Sequence, residues 1–161
     1  MQGVGLLLID LQDCFLKAIP NRSVLESRLR FAIQTCRLLE IPIYFTEQVP
    51  DKLGNTADTI RELAPEAPRF GKTRFSAWGE ESLQSALNND GVSHLLVGGI
   101  ETAICVYQTV IEAREAGFPL TVLSDCVSGR RASDEAAIIH TFANHEVLYL
   151  PSETVFYSMI A

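Results

Sequence analysis

The chain has 161 residues, 47% of them apolar, with 20 acidic against 13 basic side chains and a net charge of -7 at pH 7. That is enough apolar material for one packed core, so a single domain over residues 1–161 is expected rather than a disordered chain. The acidic balance, with no cluster of lysine and arginine to offset it, excludes nucleic acid from the expected partners, and no apolar run approaches the roughly 18 residues of a membrane span.

Apolar strand-like runs alternate with helix-period segments along the chain. Val4–Ile9 reads as a strand, Ser23–Glu40 as an amphipathic helix and Ile43–Thr46 as a second strand. Glu47 to Pro68, carrying Pro50, Gly54, Pro65 and Pro68, is irregular enough to be a functional loop. A short extended piece at Arg69–Thr73 precedes a helix from Glu80 to Asn88. Leu95–Val97 reads as strand broken by Gly98-Gly99, and Thr102–Ala116 as a helix with Thr102 as N-cap and Gly117 closing it. Leu120–Ser124 is strand, Ala132–Asn144 helix, Val147–Leu150 strand and Ser152–Met159 a last short helix. Leu6–Ile9, Leu95–Val97 and Thr121–Leu123 are apolar on both faces, the mark of parallel strands covered on each side. The expected fold is therefore α/β, a three-layer doubly wound sandwich with about six parallel strands and helices on both faces.

In such a sheet, ligands bind at the carboxyl ends of the strands, near the point where the strand order reverses. His94 and His145 precede strands and so fall at the wrong end. His140 sits in a helix whose Ala136, Ala137, Ile139 and Phe142 suggest packing. No Ser-His-Asp or Cys-His machinery and no metal site can be assembled from them. Asp10 directly follows the first strand, where it can act as a general base or as a helix cap. Lys72 follows the extended piece, with Arg74 a nearby cationic competitor. Asp125 follows the Leu120–Ser124 strand and suits a structural anchor.

Cys105 falls at the third position of the Thr102 helix, where free N–H groups and the helix dipole favour a thiolate, the form that attacks carbonyl carbon. Cys14 and Cys126 lie near the same edge without that placement. A carboxylate, an ammonium and a thiol gathered at one edge make a nucleophilic set. Asp10 takes the thiol proton and returns it to a leaving amine, and Lys72 favours both anions by charge. Phe15, Phe75 and Trp78 are candidates for an aromatic pocket wall, with Gln48 and Glu47 as polar contacts to a small-molecule substrate.

Leu8-Ile-Asp10-Leu-Gln-Asp13, Lys72 before Phe75-Ser76, and Gly98-Gly-Ile-Glu-Thr-Ala-Ile-Cys105-Val resemble the three signature segments of the isochorismatase-like cysteine hydrolases, which include nicotinamidases and N-carbamoylsarcosine amidohydrolase-like enzymes. The resemblance runs from Leu6 to Asp125–Arg131. It implies a Rossmann-like sheet, a catalytic Asp10–Lys72–Cys105 triad, and a cis peptide at Ile100–Glu101 that aims N–H groups of Glu101 and Cys105 at an oxyanion. Where nicotinamidases carry a histidine-containing metal motif, this chain reads Thr46-Glu-Gln-Val-Pro50. No metal and no cofactor are therefore expected, and the segment is more similar to the isochorismatase domain-containing subgroup. Retention of Cys105 favours thioester chemistry on an amide, imide or ureido C–N bond, with the substrate entering between the Glu47–Pro68 loop and Phe75–Trp78.

Two other readings compete. One is a redox-active thiol protein pairing Cys105 with Cys14 or Cys126; the other is a non-catalytic interaction module on the same fold. With no basic segment ahead of the first strand and no Cys-x-x-Cys pair, reduced thiols and a cytoplasmic location are expected. The resemblance also implies a homo-oligomer, and the apolar stretch Thr154–Ala161 suits either such a contact or docking on its own chain.

Overall fold

β1 (Val4–Ile9) shows why the sheet is central: Leu6 and Leu8 point into one apolar cluster, Leu7 and Ile9 into another, and all four are fully buried. The computed structural model describes residues 2–161. Around β1 lie β2 (Ile43–Gln48), β3 (Arg69–Lys72), β4 (His94–Ile100), β5 (Leu120–Ser128) and β6 (Leu148–Leu150), in the order β3-β2-β1-β4-β5-β6. Every neighbouring pair is parallel. One face is covered by α2 (Arg22–Leu38) and α8 (Ser152–Ile160), the other by α5 (Glu81–Asn89), α6 (Tyr107–Glu115) and α7 (Ala132–Asn144). Burying a leucine or isoleucine contributes about 1.5–3 kcal/mol, so the doubly covered strands anchor the domain. The order reverses between β1 and β4, which places the switch point beside Asp10. None of the helices among the described residues is long and apolar enough to cross a membrane.

Several sequence expectations need correction. The Glu47–Pro68 stretch is not one loop: Glu47 and Gln48 finish β2, and two short helices follow, α3 (Pro50–Leu53) and α4 (Asp58–Arg61). β4 does not break at Gly98-Gly99 but continues to Ile100. Gly98 pairs with Leu8 and Gly99 with Ile9. Gly99 has φ +121°, and a Cβ there would overlap the Ile9 backbone, so glycine allows β4 to approach β1 closely where the order switches. On α7 only Phe142 is buried; Ala136, Ala137, Ile139 and His140 are exposed rather than packed. His94 opens β4 with Nε2 3.0 Å from Thr121 Oγ1, and His145 is exposed at the end of α7. In α8, Val155 and Phe156 dock on their own chain, while Tyr157 and Ile160 remain exposed.

β5 is longer than expected and runs to Ser128, so Asp125 and Cys126 lie within it rather than after it. Asp125 is nevertheless an anchor. Its carboxylate accepts from the Ser152 N–H at 2.8 Å, the Ser152 hydroxyl at 2.7 Å and Arg28 Nε at 2.7 Å, joining β5 to α8 and α2. Burial pushes its pKa up, but the two Ser152 hydrogen bonds and the Arg28 guanidinium outweigh that and hold it below the usual carboxylate value. A depressed folded pKa means stability that is present above the unfolded value of about 3.9 and lost as pH falls below it. Asp125→Asn is therefore expected to cost about 1–2 kcal/mol near neutrality, with the difference from the parent fading below about pH 4 in urea titrations.

Candidate active site

Asp10 is the first residue after β1 and has φ +52°, a left-handed conformation that aspartate tolerates better than most residues. Its side chain is buried, with Oδ1 accepting from the Thr46 hydroxyl at 2.8 Å and Oδ2 from Lys72 Nζ at 2.7 Å. Lys72 ends β3 and reaches across β2 to make this contact. Its ammonium also donates to Gln48 Oε1 at 2.6 Å, Phe75 O at 2.8 Å and Arg74 O at 3.2 Å. The ion pair is dry, with Lys72 0% and Asp10 1% exposed at the side chain, a placement tolerated only because both charges are fully hydrogen-bonded. Arg74, the sequence competitor, points away to Glu112 at 3.0 Å.

Cys105 lies on the turn that leaves β4. The expected Thr102 N-cap is not found: Glu101 occupies that position, and the Thr102 hydroxyl donates to Glu135 at 3.0 Å instead. Thr102–Val106 forms a π-helical turn, a feature frequent at functional sites, that leads into α6. The Glu101 carbonyl accepts from the N–H groups of Ile104 (3.0 Å) and Val106 (3.2 Å) and passes over that of Cys105. The Ile100–Glu101 peptide is cis.

Burial, then the negative charge of Asp10, push the pKa of the Cys105 thiol up to about 12, against a lowering by the Lys72 charge. Burial and the Asp10 charge together thus favour the neutral thiol over the thiolate, more than the Lys72 charge favours the anion.

A cavity of about 360 Å³ opens above these groups. Asp10, Gln48 and Cys105 line it with the apolar Phe15, Ala18, Phe75, Ile100 and Ile104, while Cys14, Glu101 and Arg130 complete its lining. Phe15, Gln48 and Phe75 therefore stand where a pocket role requires. Trp78 does not: its ring packs on Phe118 with centroids 4.9 Å apart. The Glu47–Pro68 stretch contributes only Gln48, so α1 (Asp13–Leu16) and the following Ala18 form the wall assigned in the sequence to that loop. Glu47 is held away by Thr56, whose N–H and hydroxyl donate to its Oε1 at 2.7 and 2.8 Å.

Three supporting residues were missed. Gln12 exchanges hydrogen bonds with the Gln48 backbone and also donates to Gly54 O, fixing the strand end that presents Gln48. Thr46 orients Asp10. Arg130, whose Nε lies 2.8 Å from Glu101 Oε1, stands two residues beyond the true end of β5, where the strand-end rule finds it once that end is known. Cys126 belongs to the core on the opposite face of the sheet from Cys105, while Cys14 shares the cavity. Among the described residues, no group of three or more His, Cys, Asp or Glu is arranged to hold a metal ion.

This architecture has known relatives. Isochorismatase domain-containing protein 2 of Danio rerio is 31% identical over 161 residues, covering 99% of this chain and 80% of its own. A structure described as MAR1 ribonuclease from Caenorhabditis elegans superposes with a TM-score of 0.88 at 30% identity, covering 97% of this chain and 81% of that one. The ycaC gene product of Escherichia coli, described as an octameric hydrolase of unknown specificity, shares the fold with a TM-score of 0.87 at 18% identity, over 96% of this chain and 78% of that one. The family model for the isochorismatase domain matches residues 4–151, nearly the whole of the sheet and its helices, and the chain belongs to the isochorismatase-domain family.

Proposed function

We propose that the protein is a cysteine hydrolase that cleaves a C–N bond of a small amide, imide or ureido compound through a thioester on Cys105. The observation that supports this reading is that Asp10 and Cys105 line one cavity large enough for a small molecule, while Lys72, buried behind that lining, donates to Asp10 Oδ2 at 2.7 Å. Asp10 takes the thiol proton as Sγ attacks the substrate carbonyl, so the thiolate exists only as the new C–S bond forms. The tetrahedral oxyanion is received by the N–H groups of Glu101 and Cys105. Asp10 returns the proton to the departing nitrogen, the C–N bond breaks, and the thioester remains. Asp10 then deprotonates a water that hydrolyses it, releasing the acid and restoring the thiol. Lys72, donating to Asp10 Oδ2, holds the carboxyl group in place throughout.

The apolar walls suit a compact acyl group and the polar floor suits the reacting amide. The ribonuclease name of the nematode protein is not carried over, because 13 basic side chains against 20 acidic ones offer little to a polyphosphate. Assembly as a homo-oligomer is part of the same reading, supported by the octameric bacterial neighbour. A panel of small amides, ureides and carbamoyl compounds is expected to include at least one that releases ammonia or amine with the parent protein and none with Cys105→Ala. Equal release by both proteins would end the assignment.

A further inference from the structure

We infer that Thr109 and Glu112 are positioning residues that latch the segment holding Lys72 onto α6, the helix that continues from the Cys105 turn, and so set the register between the acid–base pair and the nucleophile; this rests on the hydrolase reading above. Two of the four acceptors around the Lys72 ammonium are carbonyls of Arg74 and Phe75, in a segment outside any strand or helix. The direction of Lys72 therefore depends on what fixes that segment. Thr109 is buried on α6 and its hydroxyl does two things: it accepts from the Ala77 N–H at 2.9 Å and donates to the Cys105 carbonyl at 2.7 Å. A threonine bonding back one turn is common in helices, but a threonine that also receives a distant backbone N–H is a tertiary link. Three residues on, Glu112 accepts from the Ser76 hydroxyl at 2.7 Å and from Arg74 Nη2 at 3.0 Å. Residues three apart share a helix face, so both grips act on one side of the segment.

The test uses iodoacetamide, which needs no substrate, with mass spectrometry of the Cys105 peptide across pH 7–10. Thr109→Val keeps the side-chain shape and removes both hydrogen bonds. Lys72 then loosens, its opposing charge is lost to the thiol, and Cys105 alkylation at a given pH is expected to slow about tenfold, as for a pH midpoint raised by about one unit. With a substrate in hand, kcat falls about 10- to 100-fold and KM changes less than about threefold. Thr109→Ser keeps the hydroxyl and is expected to stay within about threefold of the parent. Glu112→Ala, at a half-buried position, is expected to move alkylation in the same direction by a smaller factor. Unchanged alkylation in Thr109→Val and Glu112→Ala, or equal damage in Thr109→Ser and Thr109→Val, overturns the latch. Neither outcome touches the hydrolase assignment, which the substrate panel with Cys105→Ala decides separately.

Discussion

Asp10→Asn is expected to lower turnover about 10²- to 10⁴-fold while making Cys105 react faster with iodoacetamide at pH 7–9. The two effects part because Asp10 does different things in the resting and reacting states. At rest, after burial, its charge is the largest influence pushing the thiol pKa up, and its hydrogen bond to the thiol adds to this. Asparagine removes the charge, and Lys72, which lowers the thiol pKa, stays beside it. The pKa then falls from about 12 toward the ordinary value, although burial keeps it above that, so the thiolate fraction at neutral pH rises. During reaction the loss dominates, because asparagine cannot take the thiol proton, protonate the leaving nitrogen or activate water. Alkylation rates and substrate turnover measured on one preparation check both. Slower alkylation in parallel with lost turnover would show instead that a resting thiolate is maintained through Asp10, which contradicts a thiol held neutral.

This division of labour explains which parts of the molecule are readable from the amino-acid order. β1, with four consecutive apolar residues buried on both faces, and α7, bounded at Ala132 and Asn144 as expected, are carried by local pattern alone. That Asp10 and Lys72 stand at strand ends follows from the same local pattern. What escapes is decided by partners distant in sequence. Gly98-Gly99 reads locally as a break, yet serves close approach to Leu8 and Ile9 within a continuous strand. Ser124-Asp125-Cys126 looks too polar for a strand interior until Arg28 and Ser152 supply partners for the carboxylate. Thr102 is a plausible cap by spacing, but Glu135, 33 residues away, claims its hydroxyl. The acidity of the thiol is settled in the same way: burial and the charges of Asp10 and Lys72, all of them properties of the assembled site, act on it.

Lys72→Met is expected to cost about 3–5 kcal/mol of stability near neutral pH, because it removes the cation bonded to a carboxylate that is 1% exposed. Asp10 keeps the Thr46 hydroxyl at 2.8 Å, which cannot compensate a buried charge, and Gln48 Oε1 and the Phe75 carbonyl lose their donor as well. For a chain of this size the loss corresponds to a melting temperature lower by roughly 6–20 °C, readable by calorimetry. The double variant Asp10→Asn/Lys72→Met separates stability from chemistry. With no uncompensated charge left, it is expected to regain about 2 kcal/mol or more over Lys72→Met, although it carries one more substitution and hydrolyses nothing. Such a result identifies the pair as retained for its chemistry, since the fold tolerates its removal together better than the loss of one partner. Costs that simply add, Asp10→Asn plus Lys72→Met equal to the double, would mean that the two charges do not interact and that Lys72 does not hold Asp10 ready for the thiol.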